Sequence, residues 1–392
     1  SGQSGDSRDG ALDDGRVHAH CVRVGRRLPA VGGLQDNAAV RKVTSIIQQG
    51  DVREVLRRWI AEGVKVQMCV TSPPYWGLRN YGVPGQLGLE PTPVEYVANL
   101  VEVFRLVREL LADDGTLWLN LGDSYATSGG GTHKPEHANP GISQSARRAG
   151  NDYASRHDGL KPKDLVGIPW RVAFALQADG WYLRQDIIWS KPNPMPESTT
   201  DRCTKAHEYI FLLSKKPHYY YNAAAIAEPL ASVSVARAGR ADLRQKEGWV
   251  EAYHGNPPKG FTRQRYAGSD KPYTGISTKD YAAAGAQDAS VTKARIVNKI
   301  LSGEITTRNK RSVWSVTVRP YKGAHFATFP PALIEPCILA GSRPSDTVLD
   351  PFGGSGTTGM VAMQHGREFR LIELNPDYVK LAEQRIYGDM FK

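Results

Sequence analysis

Apolar residues follow two alternating patterns along the chain: short solid runs and longer stretches with helical spacing. The solid runs predict strands at 43–48, 64–70, 116–121, 180–190, 207–214, 312–317, 347–349 and 369–372. The helical spacing predicts helices at 52–60, 93–111, 164–178, 330–340, from about 357, and at 376–387. Because strands and helices alternate at both ends of the chain, we predict an α/β fold whose mostly parallel, twisted sheet is covered on both faces.

The apolar pattern fades in three segments. Residues 1–42 are rich in Gly, Asp and Arg, which is typical of a poorly ordered extension. Residues 126–163 are rich in Gly, His, Arg and Asn, which indicates a mobile functional loop. Across 223–310, Lys, Arg, Gly, Tyr and Pro dominate. We therefore expect one domain in two halves, 43–222 and 311–392, with 223–310 inserted between them.

The charge balance of the chain is basic, with 50 Lys and Arg residues against 40 Asp and Glu residues and a net charge of +10. Such a charge favours a polyanionic partner, above all nucleic acid, although a generally basic soluble protein has the same balance. The four cysteines form no CxxC pair, which argues against a disulfide framework or a zinc site. No apolar run is long enough to span a membrane, so we expect a cytoplasmic protein with no membrane partner.

A rigid corner follows the second predicted strand, in the stretch TSPPYWGLRNYG at 71–82. Neither Pro73 nor Pro74 has an N–H for a strand ladder, and each ring fixes φ near ~−65°. The strand must therefore stop there. The corner that results carries few backbone donors and is followed at once by two aromatic residues, Tyr75 and Trp76.

A glycine-rich loop lies near the other end of the chain, in VLDPFGGSGTTGMVA at 348–362. It joins a short strand to a helix, and Glu373 follows its Gly354 after 19 residues, at the end of the next strand. This matches the GxGxxG dinucleotide fingerprint, so an NAD enzyme is one interpretation. A dinucleotide fold needs several more strand–helix units after the loop, however, and only 33 residues follow Gly359. The sheet must therefore be completed by the N-terminal half, in a permuted order.

Together, TSPPY near the N-terminus, DPFGGSGTT near the C-terminus and the polar insertion between them resemble the amino-group DNA methyltransferases. These enzymes methylate cytosine N4 or adenine N6. The order of the motifs resembles the β arrangement, and the resemblance extends from about residue 44 onward. It implies a circularly permuted, Rossmann-like fold that binds S-adenosylmethionine (SAM). It also implies double-stranded DNA as partner, 223–310 as target-recognition region and a prokaryotic or phage restriction-modification setting with a cognate endonuclease. Monomer and homodimer remain open.

The resemblance assigns catalysis to Ser72, Pro73, Pro74 and Tyr75. A side-chain oxygen and the Pro73 carbonyl would accept the two amino hydrogens, and the Tyr75 ring would stack on a base extruded from the duplex. Serine at the first motif position is typical of cytosine-N4 enzymes and aspartate of adenine enzymes, so we predict cytosine, with adenine as the alternative. A carbon-5 cytosine enzyme would need a nucleophilic cysteine after proline, but Pro336–Cys337 lies in an apolar helical run.

The resemblance also assigns the cofactor site, with Asp350 near the amino group of the methionine part and Glu373 on the ribose hydroxyls. Asp51 either contacts the adenine or caps the following helix. The full predicted set is Asp51, Thr71, Phe329, Pro330, Asp350, Pro351, Phe352, Gly353, Gly354, Gly356, Thr357 and Glu373.

Other functional classes remain as alternatives. A non-catalytic DNA-binding module with a vestigial cofactor fold would carry the same motifs, and an NAD dehydrogenase is the more distant alternative. Histidines 133, 137 and 157 are expected to be solvated rather than to bind a metal. The basic residues of 236–311 alternate with aromatic ones and are expected to contact DNA; those aromatic residues are Tyr253, Phe261, Tyr266 and Tyr273.

Overall fold

The structure is a computed structural model that describes residues 45–78, 80–126, 159–246, 296–318 and 329–388. Its strands are β1 (Ile46–Gln49), β2 (Val66–Thr71), β3 (Leu111–Leu121), β4 (Tyr182–Ser190), β5 (His207–Ser214), β6 (Glu228–Pro229), β7 (Thr307–Arg308), β8 (Val313–Ser315), β9 (Thr347–Asp350) and β10 (Glu368–Glu373). Its main helices are α1 (Val52–Ala61), α2 (Pro93–Leu110), α3 (Ile168–Ala178), α4 (Ser232–Lys246), α5 (Pro331–Gly341), α6 (Thr357–Gln364) and α7 (Pro376–Tyr387).

Eight of the strands form one sheet in the order β1-β10-β9-β2-β3-β5-β4-β8. All neighbouring pairs run parallel except those of β5, which is antiparallel to both β3 and β4. The predicted α/β class with a mostly parallel sheet is therefore confirmed. The late strands β9 and β10 lie between the early strands β1 and β2, which confirms the permuted order.

Two layers of helices cover the sheet. Buried side chains of α1, α2 and α3 form one core on one face, and those of α5, α6 and α7 form the other core on the opposite face. Strand β2 lies at the centre of the sheet, and all six of its residues are buried. A strand covered on both faces is mostly apolar, which is why Val66–Val70 forms a nearly continuous apolar run and not an alternation. The exception within this run, Gln67, donates a hydrogen bond from Nε2 to Asp114 Oδ1.

Local sequence signals explain where several helices begin. Asp51 caps α1 and accepts hydrogen bonds from the backbone N–H groups of Arg53 and Glu54. Thr92 caps α2 in the same way, with Pro93 in the first turn, where a missing N–H costs nothing. These caps fix the two helix ends that face the same edge of the sheet as the functional motifs.

Several predicted boundaries were wrong. Helix α2 ends at Leu110, and β3 begins directly after it at Leu111 and not at 116. A register shift in this early part of β3 separates the pairs of Val66 and Met68. Helix α3 begins at Ile168 and not at 164, because the Asp123 carboxylate accepts from the N–H groups of Gly167 and Ile168 and so sets its start.

The described parts of the two polar segments contain more regular structure than their patterns predicted. In the segment 223–310, helix α4 forms, and β6 pairs with β7 so that the two ends of the segment meet. Glu228 forms ion pairs with Arg308, Lys310 and Arg311 at this junction. The ends of the segment 126–163 also meet, since Ala126 exchanges backbone hydrogen bonds with Lys163 and Asp164. Residues 1–42, 127–158 and 247–295 lie outside the described residues.

Candidate functional site

One cleft opens at the edge of the sheet where the parallel strands end. Because β1, β2, β9 and β10 all run the same way, the segments that follow them meet at this edge. The cleft has about 900 Å³ of empty volume, part of it open to solvent. Its lining includes Ser72 and Pro74 from the proline corner together with Phe352 and Glu373 from the glycine-loop region. The two motifs that the sequence singled out, almost 300 residues apart, therefore share one cavity.

The glycine loop after β9 is held by backbone hydrogen bonds. The N–H of Gly353 donates to the carbonyl of Ile372 at 2.8 Å, and the N–H of Gly354 donates to Glu373 Oε2 at 2.8 Å. Gly356 has a φ of +77°, and a methyl group built on it would lie 2.9 Å from Cβ of Ala382. Only glycine fits this position, which lets the start of α6 pack directly against α7.

Asp350 joins the two motifs inside the protein. Its carboxylate is buried and accepts from the Thr71 hydroxyl at 2.6 Å, the Thr358 hydroxyl at 2.6 Å and the Phe352 N–H at 3.0 Å. Burial raises the pKa of Asp350 to about 6, although all three donors act to lower it. This carboxylate therefore fixes the end of β2 against the start of the glycine loop.

Two further carboxylates line the cleft. Glu373 Oε2 accepts from the N–H of Gly354 and Oε1 accepts from the N–H of Asn375, each at 2.8 Å, so backbone N–H groups hold both carboxylate oxygens at the cleft. Burial raises the pKa of Glu373 above its ordinary value. Asp51 uses Oδ1 to cap α1 and also lines the cleft, so the two interpretations of this residue are compatible.

The predicted cofactor residues divide into two groups. The lining includes Asp51, Phe329, Asp350, Pro351, Phe352, Gly353, Gly354, Thr357 and Glu373. Thr71, Pro330 and Gly356 do not line the cleft: the Thr71 hydroxyl faces Asp350, Pro330 precedes α5, and Gly356 packs on α7. These three residues therefore shape the cleft from behind.

The proline corner is held rigidly at the side of the cleft. The hydroxyl of Tyr96 donates to the carbonyl of Pro74 at 2.8 Å, and Trp76 is buried and donates to the carbonyl of Glu90 at 2.9 Å. No hydrogen bond reaches the carbonyl of Pro73 from the residues that the structure describes. Pro73 and Tyr75 do not line the cleft itself.

The Tyr75 ring lies against the segment after β3. A methyl group built on Gly122 would lie 2.6 Å from Cε2 of Tyr75, so the absence of a side chain at Gly122 makes room for the ring. The Tyr75 hydroxyl reaches Glu208 Oε2 at 2.7 Å and lies 3.2 Å from Asn120 Oδ1. Burial, and then the nearby Glu208 charge, raise the pKa of Tyr75 well above its ordinary value. The phenol is therefore protonated at neutral pH.

Three residues behind the corner were not predicted as site residues: Asn120, Lys191 and Glu208. Each lies on or beside a different strand (β3, β4 and β5), and their positions converge only because β5 is antiparallel to both neighbours. Glu208 pairs with Lys191 and also accepts from Asn120 Nδ2 at 3.2 Å. The only feature of the sequence that could have indicated these site residues was a polar side chain at the end of an otherwise apolar strand.

The segment after the proline corner also lines the cleft, although no role was predicted for it. Tyr81, Val83, Gln86 and Leu87 all contribute to the lining, and Tyr81 packs edge-on against Tyr378 of α7 at a centroid distance of 6.3 Å. Four positive-φ glycines let this segment fold back over the cavity; they are Gly77, Gly82, Gly85 and Gly88.

Metal and membrane features can be assessed only for the described residues. Within them, no group of three or more His, Cys, Asp or Glu side chains is arranged to hold a metal ion. Nor does this part of the chain include a helix with the length and apolar character needed to cross a bilayer. Histidines 133, 137 and 157 lie outside the described residues, as do Tyr253, Phe261, Tyr266 and Tyr273.

Comparison with known proteins identifies one family, and the similar relatives include three bacterial type II methyltransferases. A family model described as DNA methylase, of the N6/N4 class, matches residues 66–384. The type II methyltransferase M.Cfr9I of Citrobacter freundii is 41% identical over 341 residues, which cover 87% of each chain. M.XycI of Xanthomonas campestris pv. cyanopsidis is 41% identical and covers 88% of each chain. M.SmaI of Serratia marcescens is 43% identical over 86% of this chain and 89% of its own.

Proposed function

Because this chain belongs to the DNA methylase family of the N6/N4 class, we propose that it methylates the exocyclic N4 amino group of cytosine in duplex DNA. The methyl donor is SAM, and the chemistry belongs to the amino-group class of DNA methyltransferases. The observation that carries the proposal is the shared cleft, in which Ser72 of the proline corner faces the same cavity as Phe352 and Glu373.

One side of the cleft, formed by the segments after β1, β9 and β10 and here called the cofactor wall, fits the parts of SAM. The Glu373 carboxylate, held by backbone N–H groups, suits the two ribose hydroxyls, and Asp51 lies on the same wall for the adenine. Phe352 and the backbone of Gly353 and Gly354 would contact the methionine part. When bound, SAM supplies a methyl group on a positively charged sulfur, which is a strong electrophile. The carboxylates of this wall suit that positive charge.

The proline corner supplies the acceptors for the target amine. An exocyclic amine is a poor nucleophile because its lone pair is delocalised into the base. Ser72 Oγ and the carbonyl of Pro73 would each accept one amino hydrogen, which localises the lone pair for in-line attack. The rigidity of Pro73 and Pro74 holds these acceptors in place, and such alignment is worth roughly 7–11 kcal/mol when it is near ideal. The mechanism needs no covalent enzyme intermediate.

The base must leave the duplex to reach this corner. We propose that it is flipped out and stacks beside the Tyr75 ring, whose other surroundings are fixed by Gly122 and Glu208. Ser72 at the first motif position favours cytosine over adenine. Adenine N6 is the second candidate because a hydroxyl acceptor also suits its amine.

Sequence recognition requires contacts beyond the cleft. We propose that the segment 223–310, anchored at the β6–β7 pair, reads the DNA sequence and that Lys and Arg residues of this segment contact phosphates. The relatives are type II methyltransferases, which supports a role beside a restriction endonuclease of the same specificity.

The modified base can be identified directly. Unmodified bacterial genomic DNA, prepared by amplification so that most short sites are present, would be incubated with the protein and SAM and digested to nucleosides. Mass spectrometry against standards should show N4-methylcytosine, and the same assay without SAM serves as control. N6-methyladenine alone would replace cytosine by adenine as the target. Neither base in the wild-type reaction would contradict the proposed function.

A further inference from the structure

A chain of hydrogen bonds leads from the cleft into the protein. At its outer end Ser72 lines the cleft, and its Oγ donates to the Tyr75 hydroxyl oxygen at 3.3 Å. The Tyr75 hydroxyl donates in turn to Glu208 Oε2 at 2.7 Å. Glu208 is the inner end, with a side chain only 14% exposed. Two oxygen atoms of the proline corner and one from β5, 133 residues further along the sequence, therefore form one continuous path.

The direction of the hydrogen bonds in this chain follows from the acceptors near Tyr75. The phenol carries one hydrogen and has two acceptors within reach, Asn120 Oδ1 at 3.2 Å and Glu208 Oε2 at 2.7 Å. The shorter, charge-assisted bond to the carboxylate takes the hydrogen. The lone pairs of the phenol then accept the hydrogen of Ser72, whose own lone pairs are left for a donor in the cleft. A target amine is such a donor.

Three groups hold the Glu208 carboxylate: the Tyr75 hydroxyl, Lys191 and Asn120. Lys191 Nζ forms an ion pair with Glu208 Oε1, and Asn120 Nδ2 donates to Oε2 at 3.2 Å and to the Tyr209 carbonyl at 3.0 Å. Gly122 leaves the space in which the Tyr75 ring lies. The raised pKa of Tyr75 keeps its phenol in the protonated form that this chain requires. Among the described residues, no other carboxylate forms a hydrogen bond with Ser72 or Tyr75.

We propose that Ser72, Tyr75 and Glu208 form a relay that aims Ser72 as an acceptor and removes the proton lost by the methylated amine. This inference rests on the proposed amino-group methylation. As the N–C bond forms and the S–C bond breaks, the amine nitrogen becomes cationic and gives one proton to Ser72 Oγ. The hydroxyl proton of Ser72 passes to Tyr75, and that of Tyr75 passes to Glu208. Ser72 and Tyr75 are regenerated unchanged, and the neutral Glu208 acid later releases its proton to water.

This relay separates two roles of Tyr75. If Tyr75 served only as a stacking ring, Phe would replace it without loss. If its hydroxyl is the middle of the relay, Tyr75→Phe breaks the path while the ring and its packing on Gly122 remain. Glu208→Gln tests the inner end, since an amide oxygen can still accept from Tyr75 but takes up no proton. Glu208 is a positioning residue that acts through Tyr75.

The experiment measures single-turnover methyl transfer to amplified genomic DNA in water and in mixtures with D₂O. SAM affinity by calorimetry and the thermal midpoint are measured for each variant. We expect Tyr75→Phe and Glu208→Gln to slow transfer about 100-fold, within the range of general acid–base catalysis, with SAM affinity unchanged. The wild-type transfer rate, plotted against the deuterium fraction of the solvent, should fall along a curve and not a straight line, because several protons move in the same step. In both variants this dependence should become a straight line.

A matched control is Tyr219→Phe, which removes a phenol hydroxyl that accepts from Arg184 Nε at 3.3 Å, outside the cleft lining. This variant should transfer methyl groups at the wild-type rate. Tyr75→Phe with a rate near wild type would overturn the relay while leaving the proposed function intact. A slow Tyr75→Phe that keeps the wild-type curvature would also overturn it. If the wild-type protein produced neither N4-methylcytosine nor N6-methyladenine, the proposed function and the relay would both be overturned.

Discussion

The cleft has two walls that are built in different ways. The cofactor wall consists of the segments after β1, β9 and β10, and it is held by backbone N–H groups that donate to a carbonyl and to Glu373. Ser72 and Pro74 form the corner wall. Behind them, Tyr75 and its supports from β3, β4 and β5 are held by side-chain interactions with Glu208. Backbone geometry determines the first wall, and side-chain identity determines the second.

This difference predicts where substitutions act. The cofactor wall should lose affinity gradually, because each of its contacts is one of several to the same ligand. The corner wall should lose rate sharply, because a small displacement of its acceptors removes alignment at the reacting atoms. Binding and rate should therefore respond to different sets of residues.

The largest effect expected from a change in packing is that of Gly122→Ala on the corner wall. The new methyl group would lie 2.6 Å from Cε2 of Tyr75, so the ring must move away from its place beside Ser72. A displacement of about 1 Å can cost ~100-fold in rate, and we expect a loss of that order in methyl transfer. Single-turnover kinetics with saturating SAM would measure it.

Gly239→Ala in α4 is the matched control for this substitution. A methyl group built on Gly239 has no atom within 4 Å, so the change should leave the rate unaffected and favour the helix slightly. If Gly122→Ala kept the wild-type rate, the packing of Tyr75 on Gly122 would have no functional role. The distinction between the two walls would then fail at its most sensitive point.

An intermediate effect is expected from the carboxylate that joins the walls. The folded-state pKa of Asp350 is raised to about 6 by burial, above its unfolded value of 3.8. Between these values the folded protein binds more protons than the unfolded chain, so the contribution of Asp350 to stability falls as pH rises from about 4 to 6.

Asp350→Asn should remove this pH dependence. The difference in unfolding free energy between wild type and variant should shift against the wild type by about 2–3 kcal/mol as pH rises through this window. Urea unfolding at several pH values would measure it. A difference that is flat with pH, or that shifts in favour of the wild type, would contradict the assigned environment of Asp350.

The smallest expected effect is on the cofactor wall. Glu373→Gln replaces one of the two carboxylate oxygens, each proposed to accept from a ribose hydroxyl, by an NH₂ donor. We expect the Kd for SAM to rise about tenfold, a loss of about 1.4 kcal/mol in binding free energy, with a small change in the single-turnover rate. Glu368→Gln on the same strand is the control, since Glu368 does not line the cleft. Calorimetry that gave equal Kd values for the two variants would remove Glu373 from the SAM site.

The sequence predicted the cofactor wall much better than the corner wall. The strand, glycines and helix at 348–362 are contiguous, so local backbone chemistry already determines their arrangement. The permuted sheet was predictable for a related reason: too few residues follow the loop to complete the fold. The supports of the corner were not predictable, because Asn120, Lys191 and Glu208 converge only through the antiparallel pairing of β5.

Helix boundaries show the same limit. The start of α3 depends on Asp123, more than 40 residues earlier, which accepts from the N–H groups of Gly167 and Ile168. A periodic pattern contains no information about such a long-range cap. Thr71 was also predicted to be a cofactor residue. Its hydroxyl instead donates a hydrogen bond to the buried Asp350. In both cases a distant carboxylate determines the local structure.

Ser72→Ala tests the central claim most directly, because Ser72 is the corner residue that faces the cofactor wall across the cleft. The substitution removes the hydroxyl that we propose as an acceptor for the target amine, and it leaves the proposed SAM-contacting residues unchanged. We predict a loss of at least about 100-fold in single-turnover methyl transfer, with a SAM Kd equal to that of the wild type. Transfer near the wild-type rate, or loss of SAM affinity in parallel with the rate, would contradict the account.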